Sequence, residues 1–473
     1  MPIHLTVSTS PAPIASAGLH PLDALQTIAE SRADDFVLLH SGPANGFSVL
    51  GYDPLCRVMV DAAGVATVRA DASLAGELPA ALDGAEPLAA LQQVIDSVTF
   101  EPPHPLVAWL GFLSYDIGRF LETIPARSTD DLRWPVLAFT LFRHYLLFDA
   151  AAGSATACTL GRGDSPAPAD LTALLQRRPP DTSSPKIAPP RLIERQAASD
   201  FEAKVSRIKQ YIAAGDIYQA NLAQRWIFQT AAQPHALFRR LCAETPAPYS
   251  ACIRCNDGHS VRHVLSASPE LFLSLQDGRA VTRPIKGTRP RDLHDARRDA
   301  ALRDELIASP KDHAELTMIV DLLRNDLGRV SRYGSVNVAD ARAIEQHPTV
   351  WHTAATILSE IRPDATLSQI LAAMSPGGSI TGAPKIRAMQ IIEELEGFRR
   401  GLYCGNIGAI GPRGKSLALN IAIRTILMRD DHALLYAGGG IVADSDPRHE
   451  YEETLHKAAA MLRAIGAQPS ALE

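Results

Sequence analysis

Short alternating apolar segments come in runs along this chain, and capped helices separate the runs rather than each strand from the next. The strand-like segments include FVLLHS from Phe36, LAFTLFRHYLLF from Leu137, IYQANLAQRWIF from Ile217, HVLSASPELFLSL from His263 and LALNIAIRTILM from Leu417. Parallel pairing needs a crossover, usually a helix, after every strand. Without that βαβ alternation the strands must pair mostly antiparallel, so the pattern predicts an α+β fold with sheets packed together and helices outside. The chain has 473 residues, more than a single core usually serves, which suggests two or three domains.

Helix boundaries are legible from capping chemistry. SDFEAKVSRIKQYIAAG reads as a helix with Ser199 and Glu202 as a capping box and Gly215 as its stop. Helices are also expected from Ser309-Pro310, from near Pro384 to Gly397, and from Asp446-Pro447 into the C-terminal alanines. PPDTSSPKIAPP, Pro179 to Pro190, is too rich in proline and too poor in large apolar residues to be anything but an extended connector.

Bulk composition narrows the function classes. The formal net charge is −6, from 52 acidic and 46 basic residues. No basic excess is available to neutralise phosphates, so no nucleic-acid partner is expected. No apolar stretch approaches the ~18 residues of a membrane span, and MPIHLTVSTSPAP lacks the features of a signal peptide. Six cysteines are few for this length; the Cys252–Cys255 CxxC has no second Cys or His pair at zinc spacing, and buried thiols are the favoured reading. These features suggest a cytoplasmic protein with no membrane contact.

Four constellations carry possible chemistry. Asp312 and Glu315 share one face at the start of a helix, and Glu450 and Glu453 share another, with Lys457 one turn beyond. Two such pairs suit a hard, oxygen-liganded cation such as Mg²⁺, or are solvated helix faces with a surface Glu453–Lys457 pair. Glycines at 377, 378 and 382 in MSPGGSITGAPK precede a helix, which suits either an anion site or a plain turn; the spacing is not that of a P-loop. YAGGGIVADSDP lets a ligand approach the backbone on the way into the Glu450 helix. RPIKGTRPR, Arg283 to Arg291, is a tight, non-helical segment with one lysine among three arginines. It is either a basic loop or a place where Arg283, Arg289 and Arg291 crowd Lys286 and favour its neutral, nucleophilic form.

Eight segments in order resemble one family: GDIYQANLAQR, SASPELFL, RPIKGTRPR, KDHAELTMIVDLLRNDLGRV, SPGGSITGAPKIRAMQIIEELE, YCGNIGAIG, NIAIRTI and AGGGIVADSDPRHEYEETLHKA. They are similar to the chorismate-utilising enzymes, whose branches make anthranilate, isochorismate, salicylate and aminodeoxychorismate. The likeness is strong from about 200 to 465 and thinner before the connector, where LLHSGPANGFSVLGYDP carries it. It implies one α+β unit of two packed, mostly antiparallel sheets, a sandwich with helices outside. Residues 1–178 would be the N-terminal region of that fold, 179–198 the connector, and 199–473 the chorismate-binding catalytic region.

The resemblance also implies roles. Glu315 and Glu453 match the Mg²⁺ carboxylates, with Glu450 beside them and Asp312 where glutamate is common in the anthranilate branch. Glu270 matches the acid that protonates the departing C4 hydroxyl, and Lys286 the lysine nucleophile of the aminodeoxychorismate branch. Ser379, Tyr403, Arg424, Gly439 and Lys457 match substrate contacts, as does Thr288 beside Lys286. His352 matches a histidine near the ring, although WHTAATI departs from the usual context. Gln219 stands where the water-adding branches carry a basic lysine, which argues against isochorismate and salicylate synthases. PIKGT, with lysine where the anthranilate branch has alanine, favours amination at C4 over amination at C2. The expected activity is therefore Mg²⁺-dependent conversion of chorismate and ammonia to 4-amino-4-deoxychorismate, on the route to 4-aminobenzoate and folate. No GxCxG segment with a partnering HxE is present, so a separate glutamine amidotransferase subunit is the expected ammonia source. The alternatives are amination at C2 in tryptophan biosynthesis, a paralogue that binds without turnover, and a pyridoxal-phosphate enzyme using Lys286. The intact set Glu270, Lys286, Glu315 and Glu453 argues against a paralogue without turnover.

Overall fold

The computed structural model describes residues 2–11, 20–31, 34–42, 46–79, 82, 84, 86–101, 104–162 and 187–468. Two long strands, Phe47–Val60 and Leu137–Asp149, pair antiparallel with each other and belong to two sheets at once. The start of Phe47–Val60 leads through Phe36–His40, Tyr249–Asn256, Val261–Ser268, Thr425–Arg429 and His432–Ile441 to Gln219–Gln229. The start of Leu137–Asp149 leads through Trp109–Leu113, Asn406–Ile410, Leu417–Asn420, Leu271–Gln276 and Arg279–Arg283 to Val350–Glu360. The sheets part where the register shifts between Pro54 and Cys56. Pro54 has no N–H for the ladder, and Asp53 beside it has φ of 60°; together they bend the strand. Among the described residues, one parallel ladder joins Ile3–Pro11 to Val98–Phe100; the other ladders are antiparallel.

Apolar residues from both sheets, among them Val58, Trp109, Phe139, Val264, Phe272 and Leu427, form one buried cluster. Removing that area from water is the main force holding the sheets face to face. Helices cover the outside. Pro21–Ser31, Pro234–Glu244 and Pro447–Ile465 lay Leu25, Phe238 and Leu462 against Trp226, Leu265 and Leu435. Ala198–Ala213 and Lys385–Glu396 cover the far end of Gln219–Gln229. Strands from before and after the proline-rich stretch are neighbours in both sheets, Phe36–His40 beside Tyr249–Asn256 and Trp109–Leu113 beside Asn406–Ile410.

The capping signals place the site helices. Ser309 accepts from the Asp312 amide and Asp446 from the His449 amide, each with proline in the first turn. Lys385–Glu396 ends at Gly397, whose φ of 78° is left-handed. Other expectations need correction. Ala198–Ala213 starts after Ala197 and has no side-chain cap, so Ser199 and Glu202 form no capping box. Residues 179–186 of the connector lie outside the described residues, and Arg191–Glu194 is a short strand on Gln219–Gln229 rather than free chain. HVLSASPELFLSL is two strands, broken at Pro269-Glu270, and LALNIAIRTILM is two strands, broken at Ile421–Arg424. Each break carries a candidate site residue, Glu270 in the first and Arg424 in the second.

Candidate active site

Lys286 lies in a non-helical segment as expected, but on a strand rather than a loop: Ile285–Pro290, which pairs with Val350–Glu360. The register shifts at Gly287, so Lys286 aligns with Thr353 and Thr288 with His352. Gly287 has φ of 78°, and a Cβ there would lie 2.8 Å from Thr353 Oγ1 and 2.9 Å from Asp312 Cγ. Only glycine fits this bulge. The three arginines do not crowd the amine. Arg283 pairs with Glu345, Arg289 with Glu305 at 2.7 Å and Asp312 at 3.3 Å, and Arg291 with Asp299 at 2.8 Å. The charged groups that feel Lys286 are carboxylates: Glu270, Glu315 and Glu453. Its Nζ donates to the Ser379 carbonyl at 3.2 Å.

Glu270 is 5 % exposed, held between the two strands that Pro269 separates. Its Oε1 accepts from Ser379 Oγ at 2.8 Å. Burial pushes its carboxyl up to about 7, against the opposing pull of Ser379, Lys286 and the Ile285 amide. A carboxyl that keeps its proton near neutral pH, beside a lysine, is suited to general acid work.

The two acidic helices converge. Glu315, on Pro310–Gly328, is pushed up by burial, opposed by Lys286 and Lys311 and reinforced by Asp312 and Glu453. Glu453 feels the same burial, but Lys457, Lys311 and Lys286 together hold it below its ordinary value. Glu450, buried, accepts from Ser445 Oγ at 2.6 Å and faces Lys311 Nζ at 3.3 Å. Lys457 Nζ bridges Glu453 at 2.6 Å and the Gly438 carbonyl at 2.8 Å. Gly439 opens onto this cluster: a Cβ there would lie 3.2 Å from Glu450 Oε2, 3.6 Å from Lys457 Nζ and 3.8 Å from Glu453 Oε1. Asp312 is turned to Arg289 instead.

Among the described residues, no three His, Cys, Asp or Glu side chains are close enough to hold a metal alone. Mg²⁺ takes hard oxygen donors, often only one or two carboxylates, and keeps waters. Glu315 and Glu453 are donors of that kind and would hold it, with Glu450 adjoining.

Arg424 has φ of 50°, touches Thr245 Oγ1 at 3.3 Å and makes no ion pair among the described residues. Burial lowers its pKa, and an arginine without a carboxylate is a ready partner for an anionic ligand. His352 is buried, with Nδ1 2.8 Å from Thr288 Oγ1 and its ring 5.1 Å from that of His347. Burial, Arg424 and His347 push it down to about 3, which favours the neutral imidazole. Gln219 is buried with an unpartnered Oε1, and its amide fills the space a side chain on Gly440 would occupy. Tyr403 is stacked on Tyr436 at 5.0 Å and lies beside Arg400 in the core. Arg400 pairs with Glu396 at 2.6 Å and donates to the Ile380 and Asn221 carbonyls, pinning the glycine turn from below.

Thr245 and Arg400 carry no motif in the sequence. Lys311 and Ser445 lie in the segments KDHAELTMIVDLLRNDLGRV and AGGGIVADSDPRHEYEETLHKA, beside the two capped helix starts, and that is the signal available for them.

A model of the family described as chorismate binding enzyme matches residues 38–463. Aminodeoxychorismate synthase component 1 of Bacillus subtilis is 36% identical over 457 residues, covering 94% of each chain. Anthranilate synthase component 1 3 of Haloarcula marismortui is 35% identical over 465 residues, covering 94% of this chain and 88% of its own. The crystal structure of anthranilate synthase component I from Streptococcus pneumoniae superposes with a TM-score of 0.75 at 30% identity, over 89% of this chain and 93% of that one. The menaquinone-specific isochorismate synthase MenF of Escherichia coli shares the fold, with a TM-score of 0.72 at 17% identity over 98% of this chain and 95% of its own. A buried acid, a lysine and two converging acidic helices thus stand on a fold whose family match runs nearly end to end, and the chain belongs to the chorismate-binding enzymes.

Proposed function

We propose that the protein aminates chorismate at C4, giving 4-amino-4-deoxychorismate for 4-aminobenzoate and folate synthesis. The observation that carries this reading is the pairing of Glu270, a carboxyl poised near pH 7, with Lys286 across Ser379. Glu270 protonates the C4 hydroxyl, which departs as water. The free amine of Lys286 bonds to C2 as both ring double bonds shift, C1=C2 to C6=C1 and C5=C6 to C4=C5, and the new ammonium returns a proton to the now ionised Glu270. Ammonia then bonds to C4, both double bonds shift back, and Lys286 leaves C2 taking the proton from Glu270, while the C4 ammonium sheds its extra proton to solvent. Splitting one hard displacement into two is the gain of covalent catalysis. Arg424 and Lys457 are the cations suited to the substrate's carboxylates. Glu315 and Glu453 would hold Mg²⁺, which when bound neutralises a carboxylate that the acidic helices would otherwise repel.

Relatives carry the words component 1 in their names, and the chain lacks the cysteine segment of a glutaminase. Both support a separate glutamine amidotransferase subunit as the ammonia donor. Amination at C2 remains the second reading, because relatives named anthranilate synthase match at 35% identity and above. Incubation with chorismate, Mg²⁺ and an ammonium salt separates them. The expected product carries nitrogen at C4 and keeps its enolpyruvyl group; release of anthranilate overturns the C4 assignment.

A further inference from the structure

We propose that Ser379 is a positioning residue that holds the acid and the nucleophile together, its hydroxyl gripping Glu270 while its carbonyl grips Lys286. The inference rests on the roles proposed above for those two residues and deepens them. One residue makes both contacts, Ser379 Oγ to Glu270 Oε1 at 2.8 Å and Lys286 Nζ to the Ser379 carbonyl at 3.2 Å.

The turn that carries Ser379 is fixed from several sides. Gly378–Ile380 is one short helical turn, and the Thr381 hydroxyl closes it by donating to the Gly377 carbonyl at 3.0 Å. Arg400 donates to the next carbonyl, that of Ile380, at 3.1 Å. A Cβ on Gly378 would lie 2.5 Å from Leu322 of the helix Pro310–Gly328. The turn therefore sits tightly on the helix that carries Glu315. A serine held this firmly costs little further ordering to keep its hydroxyl on one oxygen of Glu270.

The direction of the hydroxyl sets its effect. It donates to the carboxyl, and a donor favours the ionised form. The other groups facing Glu270 are Lys286 and the Ile285 amide on the adjoining strand, which act in the same sense, and the Cys404 thiol ahead of Asn406–Ile410. Burial opposes them all. Ser379 thus keeps the acid from becoming too weak to release its proton to the C4 hydroxyl.

The test is Ser379→Ala with Ser379→Thr as the conservative control. Two readouts are needed: the pH profile of kcat/KM at fixed free ammonia, and an infrared titration of the Glu270 carboxyl in substrate-free protein, its band identified by loss in Glu270→Gln. Loss of one hydrogen bond worth about 1 kcal/mol should raise the Glu270 midpoint by roughly 0.7 pH unit in Ser379→Ala. Ser379→Thr should restore it, and the kinetic limb should move with the infrared midpoint. An infrared midpoint unmoved in a folded Ser379→Ala overturns the proposal, whatever happens to the rate. A midpoint that moves while the wild-type rate shows no matching limb supports the Ser379 contact and overturns Glu270 as the catalytic acid.

Discussion

Glu270 offers a test of the site that needs no substrate. Its folded-state carboxyl is raised from 4.5 to about 7, so the native protein binds this proton more tightly than the unfolded chain does. Each pH unit of such a difference corresponds to about 1.4 kcal/mol, which makes the whole displacement worth about 3 kcal/mol. The sign follows from which form is favoured. The stabilisation is fully present below the unfolded value near 4.5, falls away as pH rises, and is gone above the folded value near 7. Glu270→Gln removes the titration and keeps a neutral side chain of the same shape. Urea-unfolding free energies of the two proteins, measured in parallel without Mg²⁺ from pH 4 to pH 8.5, should nearly coincide at the acid end. The variant should gain progressively, by up to about 3 kcal/mol, and the gap should level off above pH 7. A gap that stays constant over the range, or that opens in the wild type's favour, refutes the claim that Glu270 is protonated near neutrality. The same titration sets the expected kinetics: at fixed free ammonia, kcat/KM should decline as pH rises through about 7.

Three further outcomes test the rest of the site. Chelation should abolish turnover and Mg²⁺ restore it, while Ser445→Ala, by releasing Glu450, should weaken Mg²⁺ binding by roughly 10–100-fold in calorimetry; unchanged affinity would remove Glu450 from the metal's surroundings. The purified chain should work with ammonium salts at raised pH but not with glutamine, and glutamine-dependent turnover without a second subunit would refute the proposed partner. With chorismate and Mg²⁺ but no ammonia, intact-protein mass spectrometry should show one adduct of chorismate less water, mapped to Lys286. Lys286→Ala should lose the adduct, and Lys286→Arg should do no better because guanidinium stays protonated.

What the sequence conveys about this fold depends on how local the signal is. Helix starts at Ser309 and Asp446 were legible because a cap, a proline and a short turn are all encoded within a few residues. The acidic residues of those helices, Glu315, Glu450 and Glu453, were legible for the same reason. Strand breaks were not. Val261–Ser268 and Leu271–Gln276 read as one apolar run, because Pro269 interrupts the ladder without interrupting the hydrophobicity. The sharing of two long strands between both sheets is likewise absent from any local pattern. It depends on a proline at 54 and on pairing partners distant in sequence. Ser199 and Glu202 show the opposite failure: the capping pattern is present, but the helix begins before it.

The stretch RPIKGTRPR shows most clearly why spacing alone misleads about charge. Four cations within nine residues suggest mutual repulsion and a depressed lysine. On a strand, however, neighbouring side chains point to opposite faces, and the Gly287 bulge separates them further. Each arginine meets a carboxylate from a different element. Arg283 reaches Glu345 on Asn337–Gln346, Arg289 reaches Asp312 on Pro310–Gly328, and Arg291 reaches Asp299 on Ala296–Ala308. Arg291 also lies 4.6 Å over the Trp351 ring, whose Nε1 donates to the same Asp299. Partly exposed pairs of this kind contribute little stability individually, so their value here is geometric: they tie the surrounding hairpin and helices to the strand that carries Lys286. Among the described residues Lys286 is the one cation of the four that makes no ion pair, and it is the one whose contact is the carbonyl of the turn that also grips Glu270. The arginines act as its scaffold, and the lysine is left to face the acid and the acidic helices, where a substrate carrying carboxylates and a leaving hydroxyl would have to bind.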